Sequence, residues 1–192
     1  MSQKIVLLHG MWSTSETLYP LNEVLTAEGF DVHAVDLPGH LPKGEMDAAA
    51  QNRLSKMGVN DYVNAVCDYI NNLQGKPIVI GHSMGGLIAQ LVVGKVECKA
   101  LITISSAAPA GINGWCWSAI RTLGRNLFRF PLWRHLTALS LNSVRYGIAN
   151  TQSSRCSRIN LPKRDLRVWF GFMGNRDVVS LPQPSHSGRL SS

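Results

Sequence analysis

Gly81-His82-Ser83-Met84-Gly85 stands between the apolar run Pro77-Ile-Val-Ile80 and the apolar stretch from Leu87 to Lys95, and few folds accommodate that arrangement. A short apolar run bounded by glycine reads as a buried strand, and the longer stretch as a helix. Gly81 and Gly85 allow a sharp turn between the two, because side chains there would collide across it. The turn forces Ser83 toward positive φ and lifts its hydroxyl above the sheet edge. There it meets a helix N-terminus, which favours developing negative charge. The plainer alternative is a glycine-rich turn with an incidental serine; a strand and a helix on its two sides weigh against that.

The rest of the first half supplies a sheet for such a turn. Lys4-Ile-Val-Leu-Leu-His-Gly10 reads as a buried strand stopped by glycine. Ser13-Thr-Ser-Glu16 offers a capping box, and Leu18, Leu21, Val24 and Leu25 recur at helical spacing. Asp31 to Asp36 is a second strand, followed by the loop Leu37-Pro-Gly-His-Leu-Pro42. Val63, Val66, Cys67, Ile70 and Leu73 line one face of a helix from about Asn60 to Leu73. Lys99 to Ile104 is a further strand. Alternating strands and helices predict an α/β fold with a mostly parallel central sheet flanked by helices.

Beyond Ala107 the pattern changes. The loop Ala107 to Gly114 leads into aromatic and basic helix-like stretches that continue to about Asn150, with Trp115, Trp117, Phe128, Phe130 and Trp133 concentrated there. Leu166 to Phe172 reads as a fifth strand, and Ser180 to Ser192, rich in serine and proline, as a loose tail. Charge shifts at the same place. Residues 1–110 carry 7 Lys and Arg against 10 Asp and Glu, a net −3, whereas residues 111–192 carry 12 against 2, a net +10. The basic residues are scattered rather than clustered, so neither nucleic acid nor a membrane surface is the expected partner.

With 45% hydrophobic and 16% charged residues among 192, the chain can bury one domain's core, which excludes disordered and collagen-like classes. No apolar run reaches the roughly 20 residues needed to cross a bilayer. Met1 to Lys4 lead straight into a strand, so no secretory signal is expected. Cys67, Cys98, Cys116 and Cys156 show neither C-x-x-C spacing nor scaffold density, which points to free thiols and a cytoplasmic setting. No metal-ligand cluster or phosphate-cradling loop appears, so no metal and no cofactor are expected. Oligomeric state is left open.

His9-Gly10-Met11 ends the first strand in a glycine turn that can aim a backbone N–H at a substrate oxygen, or merely end the strand. Paired with the N–H of Met84, that of Met11 would form an oxyanion hole. His9-Gly10, Asp36-Leu-Pro-Gly-His40 and Gly81-His-Ser-Met-Gly-Gly86 together resemble the α/β-hydrolase superfamily, within it the small bacterial esterase or lipase-like serine hydrolases with a helical cap. The resemblance covers residues 3 to about 108 tightly and 109 to 179 loosely. It implies that Ser83 is the nucleophile, that Met11 and Met84 N–H groups hold the oxyanion, and that the aromatic segment caps an acyl pocket. The organisation expected is a hydrolase core at 1–108, a helical cap at 109–160, and a last strand, acid turn and tail at 161–192.

A serine nucleophile needs a histidine to take its proton and a carboxylate to hold that histidine. The resemblance implies an acid in a G-x-x-D turn after a late strand, which Gly174-Asn-Arg-Asp177 matches; a plain surface turn is the alternative. It also implies a histidine one strand and one helix later. The chain offers His186, nine residues after Asp177, with Pro182 and Pro184 intervening. That departure, with the charge shift, suggests a C-terminal part that is incomplete or altered, by truncation or a shifted reading frame, or else a short form recruiting His186. The function expected is cleavage of small-molecule carboxylic esters through an acyl-enzyme on Ser83; the alternative is a catalytically impaired binding protein on the same scaffold.

Overall fold

A computed structural model describes residues 2–11, 13–110, 112, 117 and 121, together with the backbone of two short strands at 136–138 and 167–169. Lys4–Leu8 forms β1, in which Ile5 to Leu8 are all buried. Such an unbroken apolar run suits a parallel sheet covered on both faces. β2 (Asp31–Val35) and β3 (Ile78–His82) flank it in parallel, with Leu8 opposite Val35 on one side and Gly81 on the other. β4 (Ala100–Ile104) pairs in parallel with β3, His82 facing Ile104. The order is therefore β2-β1-β3-β4.

Alternate β1 side chains point to opposite faces, and each face has its own helices. Ile5, Leu7 and Ile80 meet Leu18, Leu21 and Leu25 around α1 (Tyr19–Ala27). Val6, Leu8 and Val79 meet α3 (Val59–Asn71) and α4 (Met84–Val93), through Val63, Val66, Ile70, Ile88 and Val92. Burying each such side chain contributes about 1.5–3 kcal/mol relative to leaving it in water. No helix among the described residues is long and apolar enough to cross a membrane.

Several local expectations are corrected. Val24 is 61% exposed, although its spacing suggested the buried stripe. Leu18, Leu21 and Leu25 already define that stripe, and Val24 lies about 100° away from Leu25 around the helix. The Ser13–Glu16 capping box does not form. Ser15–Leu18 is a single 3-10 turn, and both the Ser15 N–H (2.6 Å) and hydroxyl (3.0 Å) donate to the Asp36 carboxylate. The Ser13 hydroxyl, which the box would have turned to the helix, donates instead to the Gly10 carbonyl (3.0 Å). The stretch after Pro42 also holds a helix that went unread, α2 (Ala48–Leu54), capped by Asp47, whose carboxylate accepts from the Ala50 N–H at 2.6 Å.

Within the expected cap, Leu136–Ala138 (β5) is a strand rather than helix. The expected fifth strand is present as Arg167–Trp169 (β6) but pairs antiparallel with β5 in a sheet of their own. A β-branched and aromatic run specifies an extended backbone; its partner is set by non-local contacts.

The strand order places the functional end of the sheet. From β1 the chain moves outward to β2, then returns through α2 and α3 to β3 on the opposite side of β1. In open parallel sheets, ligands sit beyond the carboxyl ends of the strands where this reversal occurs. Here those ends are His9-Gly10-Met11 and His82-Ser83.

Candidate active site

Ser83 links β3 to α4 with φ 55° and ψ −119°, a conformation costing a non-glycine residue about 1–3 kcal/mol. The surroundings enforce it. A β-carbon on Gly81 would fall 2.2 Å from the Gly85 carbonyl oxygen, and one on Gly85 would fall 2.4 Å from that of Leu8. Only glycine lets α4 start this close to the end of β1. The Ser83 N–H donates to the Ile104 carbonyl (3.0 Å), and the Ser83 carbonyl accepts from the N–H groups of Gly86 (3.0 Å) and Ala107 (2.9 Å). Behind it, Gln90 Nε2 donates to Ser106 Oγ (2.9 Å), whose hydroxyl donates to the Ala107 carbonyl (2.9 Å). The bend is thus braced from β4 as well as from its own helix.

The β1 turn lies against it. A β-carbon on Gly10 would stand 3.1 Å from Ser83 Cβ and 3.3 Å from His82 Nδ1, so the glycine backbone presses on the serine. Met11 follows, partly buried, and Met84 opens α4 with its side chain buried. A polar network fixes this turn. His9, fully buried, accepts the Leu37 N–H at Nε2 (3.0 Å), so Nδ1 carries the proton and donates to the Gly10 carbonyl (2.8 Å). Asp36 Oδ1 lies 3.9 Å from His9 Nε2, but that nitrogen's lone pair is already engaged by Leu37, so no ion pair forms. Burial holds the His9 imidazole below its ordinary pKa, against the opposing pull of the Gly10 carbonyl and Asp36.

His40 comes from the loop after β2. Its ring lies 5.0 Å from that of His9 and 5.7 Å, edge-on, from that of Tyr62. Its Nδ1 donates to the Ser13 carbonyl (3.2 Å), and Ser13 Oγ donates to the Gly10 carbonyl (3.0 Å). Burial first, and His9 second, push the His40 imidazole down to about 4, with the Ser13 carbonyl and Asp36 opposing. Burial likewise pushes the Tyr62 phenol up to about 12.

The structure therefore brings Gly10, Met11, Gly81, His82, Ser83, Met84 and Gly85 to one end of the sheet. Asp177 and His186 lie outside the described residues. Among those residues Ser83 Oγ has no hydrogen-bond partner, and His82, beside it in sequence, is exposed. The sequence did not mark Ser13, Asp36 and His40 as a brace for the β1 turn. Asp36-Leu-Pro-Gly-His40 was legible as a motif, but its contacts with residues 9–15 are made across the fold.

Comparison with known proteins bears on the family. The family model described as the alpha/beta hydrolase family matches residues 5–186. The chain belongs to the alpha/beta hydrolase family. Among its relatives in that family is the pyrethroid hydrolase of Sphingobium wenxiniae, 30% identical over 113 residues that make up 55% of this chain and 38% of that protein. The pimeloyl-[acyl-carrier protein] methyl ester esterase of Shewanella woodyi is 33% identical over 107 residues, covering 55% of this chain and 36% of that protein. The matched part thus spans less than half the length of either relative. A solved extracellular alpha/beta hydrolase from Paenibacillus aligns with a TM-score of 0.63 at 20% identity, covering 82% of this chain and 63% of that one, a likeness of fold. Of these two relatives, one is thus named as a hydrolase and the other as a methyl ester esterase.

Proposed function

We propose that the chain is a serine hydrolase that cleaves small-molecule carboxylic esters through an acyl-enzyme on Ser83. The observation that carries this reading is the strained serine at the β3–α4 bend, with the Gly10 turn pressed against it. Relatives named as a pyrethroid hydrolase and a methyl ester esterase support the same chemistry. In the proposed mechanism Ser83 Oγ attacks the acyl carbon as His186 takes its proton, with Asp177 orienting the imidazole. The backbone N–H groups of Met11 and Met84 hold the tetrahedral oxyanion, and the N-terminus of α4 adds to the favourable field. Collapse expels the alcohol, protonated by the imidazolium; water then attacks the acyl-enzyme and releases the acid. Residues 109–160 are assigned to a cap over the acyl group, whose aromatic content suits a short-to-medium chain.

A p-nitrophenyl butyrate assay tests the proposal: Ser83→Ala is expected to lower kcat by at least about 10⁴-fold, and His186→Ala by a comparable factor. Turnover that survives Ser83→Ala overturns it. A second reading, a binding protein on a hydrolase scaffold, is favoured by the short interval between Asp177 and His186 with two prolines in it. A folded protein whose Ser83 resists a fluorophosphonate probe supports that reading instead.

A further inference from the structure

We propose that His40 is a positioning residue for the oxyanion-binding turn, acting through Ser13 and the Gly10 carbonyl to hold the Met11 N–H toward Ser83. The proposal rests on the serine-hydrolase reading for its catalytic consequence, and on geometry alone for the clamp itself. The Gly10 carbonyl receives two donors, His9 Nδ1 at 2.8 Å and Ser13 Oγ at 3.0 Å. Each donor is fixed by the loop after β2: Leu37 N–H sets the His9 ring, and His40 Nδ1 holds the Ser13 carbonyl at 3.2 Å. Asp36 closes the far side by accepting both the N–H and the hydroxyl of Ser15.

The peptide from Gly10 to Met11 is the one whose N–H would meet the oxyanion. Two donors on the carbonyl of that same peptide fix its plane, and therefore the direction of its N–H. They also polarise the peptide, so the N–H opposite becomes a better donor when negative charge develops. His40 is suited to this task because its ring is wedged between His9 and Tyr62, leaving Nδ1 a single orientation. An oxyanion donor displaced by about 1 Å loses much of its effect on the transition state while leaving ground-state binding almost untouched.

Three variants separate this role from simple packing. His40→Phe keeps a ring between His9 and Tyr62 but removes the donor to Ser13; His40→Gln restores a donor without the ring; Ser13→Ala removes the second donor to Gly10 and leaves the imidazole in place. On p-nitrophenyl butyrate, His40→Phe is expected to lower kcat by about 10- to 100-fold with KM within about threefold. Ser13→Ala is expected to lose about tenfold, and His40→Gln to recover part of the loss. Hydrogen exchange of the peptide spanning residues 9–15 is expected to quicken in His40→Phe and Ser13→Ala. A folded His40→Phe and Ser13→Ala that both keep kcat within threefold of wild type overturn the catalytic role, and unchanged exchange at 9–15 overturns the clamp. Absence of turnover by the wild-type chain overturns the hydrolase reading and the catalytic role with it, and the exchange measurement then decides the clamp.

Discussion

At Ser83 the backbone is held at φ 55° by contacts from three directions: Gly10 above, the Gly81–Gly85 approach behind, and the Ile104 and Ala107 backbone at the side. Strain of this kind persists only where the surroundings over-determine it. Glycine would adopt the same dihedrals without penalty, at the cost of about 0.5–1 kcal/mol of extra freedom in the unfolded chain. Ser83→Gly is therefore expected to stabilise the fold by about 1 kcal/mol, raising the melting temperature by about 2–4 °C. Ser83→Ala keeps the Cβ and with it the strain, so it should melt within about 1 °C of wild type. Thermal melts of the three proteins side by side check this; a Ser83→Gly variant melting below wild type shows that the bend is relaxed as it stands. Stability gained where activity is lost marks a backbone shaped for chemistry.

The elements show which parts of the fold the sequence spells out locally. β1, β3 and α4 were legible because their apolar runs are unbroken and glycine marks their ends, and the β3–α4 junction was legible because so few residues satisfy it. What was misread turns on contacts between distant segments. The turn at Ser15 is tied to Asp36, 21 residues on, rather than closed by a local capping box, and β6 found its partner in β5 rather than in the parallel sheet. Asp177 and His186 remain readings of pattern, since no described element carries them. α1 makes the point quantitatively. Leu25 packs with Ile5, Leu7 and Ile80, whereas Val24, its neighbour in the expected stripe, stands in solvent. Leu25→Ala is expected to cost about 2–3 kcal/mol and Val24→Ala less than about 0.5 kcal/mol in urea unfolding. Equal costs for the two would mean that α1 is rotated relative to the sheet from the packing described here.

Over the whole molecule, the network that aims the β1 turn also couples folding to pH. His9 and His40 are both held neutral, His9 below the ordinary imidazole value and His40 at about 4, chiefly by burial. In the unfolded chain each titrates near 6.5, so as pH falls below that value the unfolded state takes up protons first. Stability is then complete above about 6.5 and declines with falling pH until the folded imidazoles protonate, about 4 for His40. For His40 the interval from 6.5 to about 4 corresponds to at most about 3 kcal/mol, a sizeable part of what holds a domain together. Carboxylates act in a lower window. Asp31, held down first by the hydrogen bond from Lys4, and Glu97, held down by Lys76, lose their contributions as pH falls from their ordinary values near 4 toward the depressed folded ones. The two regimes can therefore be separated. The urea midpoint of wild type is expected to drop steadily between pH 6.5 and 4.5, while His40→Phe, lacking one imidazole, is expected to show a clearly shallower slope over that interval and the same behaviour below it. An unchanged slope in His40→Phe would assign the acid loss to other groups and leave the His40 imidazole without thermodynamic weight. Charge repulsion does not mimic the result, because formal charge outside the imidazoles changes little until the carboxylates protonate. A turn fixed by neutral imidazoles thus carries its own acid limit, set by the burial that makes it rigid.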